Sequence, residues 1–473
     1  MSSSNKKAHF IGICGAGMSA VAKLLIDYGW QVSGSDDNFY PPVSEYIKKH
    51  KIKFTNGYKA GNIPGNVDLI IVGKHARLNE KENTETRAAL KLGVPVRSYP
   101  EILGELSKNT QNIVVAGSYG KSTCAALLAW CLEHAGKDPS YFIGAIPNTP
   151  LESSKKGNGK LFVLEGDEYP SSNWDDKSKF LYYHPAHILL TSLTHDHLNI
   201  FRTQEEYKNT YKKLLLLLPQ KGLIVACADG EGIKETIKGC GLDKNTVFYS
   251  VNSKAPWHIA NTKLRQLSTF DIVYKNKVVT KIRTSLLGKH NFENILGVAA
   301  LLLSLKIISP AEFSEAVAGF ESLNRRLDRR SDKIAVPIYE GFGSSCAKAK
   351  SAIEAMRAHF PKRNLVVIFE PHAFSWRSGD AVEWYDSVFK GAEVVLIYKP
   401  PRGTNRFDLG NILKRIKISG PKAEGFSNVQ RGLSLLENNI GSNSAVLILS
   451  SGGFGGFIGA TTKWLEEKFP EIY

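Results

Sequence analysis

Residues 114–123 read VVAGSYGKST, and the fold of the chain turns on whether this stretch is a phosphate loop. The common pattern G-x-x-x-x-G-K-[ST] asks for a glycine six residues before the lysine, where this chain has Val115, so a strict match fails. The physical parts are nevertheless in place. An apolar β-rich run (113–116) breaks into Gly117 and Gly120, whose backbone N–H groups are suited to face an anion. Lys121 follows, then the hydroxyls of Ser122 and Thr123 and the start of an apolar helix. Together they make a nucleotide triphosphate the expected ligand, with Lys121 on phosphate oxygens and Ser122 or Thr123 reaching Mg²⁺.

Working outward, short β-rich runs recur on both sides: HFIGI (9–13), DLIIVG (68–73), NIVVAG (112–117), KLFVLE (160–165), HILLTSL (187–193) and GLIVAC (222–227). The pattern resumes with NLVVIFE (364–370), EVVLIY (393–398) and AVLILS (445–450). Between them, KSTCAALLAWCLEHAG (121–136) and NFENILGVAALLLSLKI (291–307) carry wide apolar faces at helical spacing. Strands alternating with helices predict βαβ units and parallel sheets. Polar stretches at 104–112 and 321–333 punctuate the pattern. The expected fold is α/β in three domains: a Rossmann-like N-terminal domain (1–107), a central mononucleotide-binding domain of phosphate-loop type (108–322) and a Rossmann-like C-terminal domain (323–473).

Composition agrees with this. A chain of 473 residues is too long for one ordinary core at roughly 150 residues per domain. Its 42% hydrophobic and 22% charged residues are those of a soluble globular protein. The six cysteines (14, 124, 131, 227, 240, 346) form no C-x-x-C pair, which argues against a disulfide framework or a zinc site and for a reducing cytoplasm. The net charge of +16 comes without a basic block interleaved with aromatics, so either anionic small substrates or a merely basic proteome is expected, and nucleic acid is not. The start MSSSNKKAHFIGICGAGMSAVAKLL resembles a signal peptide, but glycines interrupt its apolar run and Lys23 sits inside it. No run reaches the roughly 18 apolar residues of a membrane span.

Four further motifs carry chemistry. In GICGAGMSA (12–20), Gly15, Gly17 and Ala20 satisfy G-x-G-x-x-A after a strand, with Asp36 about twenty residues on. That geometry cradles a diphosphate, whether in a dinucleotide or a UDP group, and sets Asp36 near a sugar hydroxyl. LEGDEYP (164–170) and LTHDHLN (193–199) end two strands, where an open α/β sheet binds its ligands. Glu165, Asp167, Glu168, His195, Asp196 and His197 therefore converge as candidates for a metal-phosphate site. GKHNFEN (288–294) opens a helix with Asn291 and Asn294 on one face. SSGGFGGF (450–457) follows a buried strand as either a ligand-contacting or a packed turn.

Taken in order, GICGAGMS, GSDDNFYPPVS, GSYGKST, EGDEY, SKFLYYHPAHILLTSLTHDHLNIF, GKHNFEN, NRRLD and SSGGFGG resemble the Mur ligase family across nearly the whole chain. The resemblance implies a UDP domain, an ATP domain and a C-terminal domain that closes over both. It implies ATP and Mg²⁺ and an amide bond made through an acyl phosphate of UDP-N-acetylmuramate. FYPPVS, DEYP, SKF…HP and SSGGFGG point to the branch that accepts a murein peptide, L-Ala-γ-D-Glu-meso-diaminopimelate, in peptidoglycan recycling; the alternative acceptor is L-alanine. By the same resemblance Lys121, Glu165 and His197 are catalytic, with Ser122, Thr123, Glu165 and His197 as metal ligands. Gly117, Gly120, Lys121, Ser122, Thr123, Asn291, Asn294 and Arg326 would hold ATP, and Gly15, Ala16, Gly17, Met18, Ser19 and Asp36 the uridine diphosphate. A cytoplasmic monomer or weak homo-oligomer is expected.

The chain also departs from the family. Where members usually carry Thr-His inside the phosphate loop, it has Ser118-Tyr119. Where they carry Asp-Asp-Phe-Ala-His-His-Pro, a stretch that helps orient ATP, it has YEGFGSSCAK, with Glu340, Gly341, Ser344, Ser345 and Cys346 at the changed positions. The run after FEP is altered to HAFSWRSG (372–379). A UDP-sugar-binding protein that has lost turnover is the reading these changes favour. A dehydrogenase would leave the second nucleotide loop without a role.

Overall fold

The computed structural model describes residues 6–39, 43–145, 147, 150–195, 200–252, 255–377, 379–399 and 407–471. His197 and Asp196, both candidates above, lie outside the described residues. The chain forms three sheets and divides into two compact units, residues 1–261, 270–282 and 293–320, and residues 262–269, 283–292 and 321–473.

The first unit holds two sheets. The N-terminal one has five parallel strands in the order Lys53–Asn56, Gln31–Asp36, Lys7–Ile11, Leu69–Val72, Val96–Arg97. Strand order reverses at Lys7–Ile11, and the turn after that strand is the glycine loop, so the loop sits at a topological switch point. Phe10, Ile11, Ile70 and Ile71 are fully buried. Such unbroken apolar runs are what a parallel sheet covered on both faces requires.

The second sheet of this unit has ten strands. At its centre Gln111–Ala116 lies parallel between His187–Leu190 and Leu161–Glu165, with Ala116 opposite Leu190 and Val115 opposite Glu165. Leu223–Cys227 and Thr246–Ser250 extend it in parallel. The helix Lys121–His134 buries nine of its residues, from Thr123 through Leu132. A helix apolar on nearly every side belongs inside a layer rather than on a surface. It runs against the helix Pro310–Ala318, where Trp130 Nε1 donates to the Ala316 carbonyl at 2.7 Å.

The second unit is built on six strands ordered Arg326–Arg329, Ile338–Gly341, Ser444–Leu449, Asn364–Phe369, Val394–Tyr398, Lys422–Phe426. The first pair is antiparallel and the others parallel. Aromatic packing of Phe369, Trp376, Tyr385 and Phe389 fills one face. The other face is covered by Phe426, Phe454, Phe457 and their neighbours. The turn after Ser444–Leu449 is a packed one: Phe454 is buried, and Ser450 Oγ donates to Glu370.

Candidate active site

The phosphate loop leaves its strand through Gly117, at φ +136°, and enters its helix through Gly120, at φ +81°. A Cβ at Gly117 would lie 2.2 Å from Thr191 Oγ1, and one at Gly120 would lie 2.5 Å from Asn294 Oδ1. Both glycines are therefore required by backbone conformation and by close neighbours. Residues from the end of the adjacent strand pin the loop between them. Ser118 N donates to Ser192 O at 3.1 Å, Tyr119 N to Ser192 Oγ at 3.0 Å, Ser118 Oγ to Thr194 O at 2.5 Å, and Thr191 Oγ1 to Tyr119 O. Tyr119 itself is 43% exposed.

Lys121 begins the helix and folds back over the loop. Its Nζ donates to the Gly117 carbonyl at 2.7 Å and to Glu168 Oε2 at 2.9 Å. Burial pulls the ammonium's pKa down, but the carboxylates of Glu168, Asp167 and Glu165 outweigh it, and the net shift is upward. Lys121 therefore stays a cation, as phosphate binding requires.

Beside it, Ser122 Oγ donates to Glu165 Oε1 at 2.7 Å, and Gly144 N donates to Glu165 Oε2 at 2.6 Å. Glu165 is 9% exposed. Hydroxyl and carboxylate oxygens brought together at strand ends are the hard donors that suit Mg²⁺. Thr123, the other hydroxyl expected at a metal, is buried in its helix, so Ser122 is the one that meets Glu165. Asp167 pairs with Lys179 at 2.5 Å. His195 Nε2 lies 3.0 Å from the Phe201 carbonyl, which makes it a loop brace.

Asn294 is buried against the loop, with Cys124 Sγ 3.3 Å from its Oδ1. Asn291, Arg326 and the altered YEGFGSSCAK stretch belong to the second unit. There Asn291 Nδ2 donates to Leu287 O at 2.7 Å, the bond of a residue steadying its own helix. Arg326 is exposed, its guanidinium 5.9 Å from the centroid of the Phe342 ring. Glu340, at the position of the family's first aspartate, remains a buried carboxylate, 3.1 Å from Arg325 and 3.3 Å from Arg330. Ser345, at a family histidine position, caps the helix Cys346–His359 by accepting from Lys348 N.

In the glycine loop of the first unit, Gly15 and Ala16 are exposed at the start of the helix Ala16–Asp27, while Met18 and Ser19 are buried. Ser19 Oγ turns back to donate to the Ala16 carbonyl at 3.1 Å. The Ser19 N–H is likewise taken by the Gly15 carbonyl at 2.9 Å, which leaves the backbone of Ala16 to Met18 to meet an anion at this mouth. Asp36 accepts from Cys14 N at 2.8 Å, Asn38 N at 3.1 Å and Tyr58 Oη at 3.0 Å. Three of its roughly four lone-pair positions are spent on shaping the loop. Burial, together with Asp36, pushes the Cys14 thiol up to about 12. Tyr58 carried no motif, and nothing in its local sequence marks it as a partner for a carboxylate 22 residues away. Tyr207, whose hydroxyl reaches both Ser118 and Glu168, was likewise hidden in an ordinary amphipathic helix.

A nucleotide loop, an oxygen-donor pair at its side and a second diphosphate-type loop define an ATP-using enzyme with a nucleotide-bearing second substrate, and comparison with known proteins agrees. Residues 7–111 match the Mur ligase family catalytic domain and residues 115–302 the Mur ligase middle domain. The UDP-N-acetylmuramate–L-alanine ligase of Trichlorobacter lovleyi is 30% identical over 394 residues, 83% of each chain. The UDP-N-acetylmuramate–L-alanyl-γ-D-glutamyl-meso-2,6-diaminoheptandioate ligase of Escherichia coli K12 is 26% identical over 454 residues, 95% of this chain and 96% of that one. The crystal structure of the UDP-N-acetylmuramate-alanine ligase of Thermotoga maritima superposes with a TM-score of 0.78 at 22% identity, covering 98% and 99% of the two chains. The chain belongs to the Mur ligase family, whose members are ATP-dependent, amide-forming ligases. Among the described residues no helix is long and apolar enough to cross a membrane.

Proposed function

We propose that the protein joins UDP-N-acetylmuramate to the murein peptide L-Ala-γ-D-Glu-meso-diaminopimelate in the cytoplasm, within three domains bounded near residues 107 and 322. The observation that carries the reading is the meeting of Lys121, Ser122 and Glu165 at the ends of adjacent parallel strands. In this account the γ-phosphoryl group of ATP passes to the lactoyl carboxylate of the UDP-sugar. The peptide amine then attacks the acyl phosphate, forming the amide and releasing phosphate.

Each step assigns work to named groups. Charge grows on the transferring phosphoryl oxygens, and Lys121 with the N–H groups of Gly120 to Ser122 answers it. Ser122 and Glu165, with His197 as the family's further position, would hold Mg²⁺, which neutralises phosphate charge when bound. Asn294 is placed against the loop's last glycine and so fixes the helix entry on which the nucleotide rests; by the family resemblance Asn291, with Asn294, would meet the nucleotide base and Arg326 a phosphate. Gly15 to Ser19 would line the uridine diphosphate, through the N–H groups of Ala16 to Met18, with Asp36 holding the loop's shape.

The peptide acceptor rests on FYPPVS, DEYP, SKF…HP and SSGGFGG. The second reading, L-alanine as acceptor, is favoured by relatives of that activity at similar identity. Radiolabelled UDP-N-acetylmuramate incubated with ATP and either amine separates the two by product mobility. An amide with the peptide alone supports the first; an amide with alanine alone supports the second. A UDP-sugar-binding protein without turnover predicts neither. The retained carboxylate at Glu340 and its two arginines weigh against that reading.

A further inference from the structure

The phosphate-loop lysine is held by a side-chain relay that none of the motifs contains. We propose that Glu168 and Tyr207 are positioning residues that aim the Lys121 ammonium at phosphate, an inference that rests on reading this loop as the ATP site. Lys121 has three N–H donors. Gly117 O takes one at 2.7 Å and Glu168 Oε2 takes another at 2.9 Å, which fixes the direction of the third. Glu168 is fully buried, and its other oxygen lies 3.2 Å from the Tyr207 hydroxyl.

Tyr207 closes the relay onto the loop itself. Its hydroxyl is 2.9 Å from Ser118 Oγ, whose own proton is given to Thr194 O, so Ser118 and Glu168 both act as acceptors and the one Tyr207 proton is shared between them. Tyr211, one turn along the same helix Gln204–Leu215, places its hydroxyl 3.1 Å from that of Tyr207. The Tyr207 ring packs edge-on against Phe201, centroids 5.2 Å apart, and 5.8 Å from the ring of His195. One side chain thus touches the phosphate loop, the carboxylate that holds the lysine, and the rings of His195 and Phe201. Lys212, on the same helix, pairs instead with Glu205 on the solvent side.

A buried ion pair is a poor source of net stability, since desolvation offsets most of its attraction. A fully buried carboxylate with a lysine on one oxygen and a tyrosine on the other is better explained by the geometry it imposes.

The test compares wild type, Tyr207→Phe, Glu168→Gln and the double variant. Each is measured for ATP KM, UDP-N-acetylmuramate KM, kcat and the Kd of a fluorescent N-methylanthraniloyl ADP with Mg²⁺. Tyr207→Phe keeps the ring packing and removes only the hydroxyl. The expected result is a rise of about tenfold in ATP KM and nucleotide Kd for each single variant, with the UDP-sugar KM unchanged. The double variant should be no worse than Glu168→Gln alone, because one path is being cut twice. Unchanged nucleotide Kd in Tyr207→Phe, or multiplying effects in the double variant, overturns the relay. If Glu168→Gln does not fold, the Tyr207→Phe Kd decides alone. A wild type that binds the nucleotide but releases no phosphate with any amine contradicts the ligase reading and leaves the relay to be judged on Kd.

Discussion

Ser122 Oγ donates to Glu165 Oε1 across 2.7 Å, tying the first turn of the helix after the phosphate loop to the end of the neighbouring strand. Glu165→Gln keeps the shape and an acceptor for Gly144 N–H but removes the charge a divalent cation needs. Phosphate release should fall by about 10²–10³-fold, with the Mg²⁺ requirement shifted to higher concentration. A magnesium titration of turnover at saturating ATP checks this. A wild-type magnesium midpoint in the variant would place the cation elsewhere.

Gly120 and Gly136 flank the same helix, and both have positive φ, +81° and +66°. At Gly136 no atom lies within 4 Å of an added Cβ, whereas at Gly120 Asn294 Oδ1 lies at 2.5 Å. Gly136→Ala should therefore cost about 1 kcal/mol of backbone strain and leave ATP KM alone. Gly120→Ala should cost more, on the order of 1–3 kcal/mol, and raise ATP KM as well. Urea unfolding and initial rates on the two variants make the comparison.

Removing Lys121 exposes the other half of its ion pair. Lys121→Met leaves Glu168 buried without its cation and should destabilise the unit by about 3–5 kcal/mol. Lys121→Met with Glu168→Leu should recover most of that stability and none of the activity. Chemical denaturation beside a phosphate-release assay reads both.

His359 joins three segments of the second unit. Its Nε2 accepts from Gly288 N at 3.0 Å and its Nδ1 donates to Arg265 O at 2.8 Å, a neutral tautomer. Burial lowers its pKa, only partly offset by the Arg265 bond. The unfolded chain takes up the proton near pH 6.5 and the folded one only below that. The folded state therefore has the full benefit of this group above pH 6.5 and loses it as pH falls toward the folded pKa. His359→Gln should be less stable than wild type at pH 7.5 by about 1–3 kcal/mol, with the gap narrowing at pH 5.5. Urea midpoints at the two pH values give the result.

The strands were legible because a parallel sheet buried on both faces leaves unbroken apolar runs. All nine runs read from the sequence contain strands, from Lys7–Ile11 to Ser444–Leu449. Strands with mixed composition, such as Gln31–Asp36 and Trp257–Lys263, left no such trace. The site was legible where a backbone feature forced a residue type, as at Gly117, Gly120 and Lys121. It was not legible where contacts span the chain. Tyr58 on Asp36 and Tyr207 on Ser118 and Glu168 are ordinary tyrosines until the sheet brings their partners beside them. The departure at YEGFGSSCAK was visible, but its meaning needed the structure: Glu340 keeps a carboxylate between two arginines, and Ser345 takes up helix capping.

The central claim is ATP-driven amide formation through Lys121. Phosphate release should be measured with ATP, Mg²⁺ and UDP-N-acetylmuramate, adding in turn L-Ala-γ-D-Glu-meso-diaminopimelate, L-alanine or no amine, for wild type and Lys121→Ala. The account predicts release matched mole for mole by an amide product with the peptide, and its loss in Lys121→Ala. Release that persists in Lys121→Ala, or no amide with any amine, would contradict it.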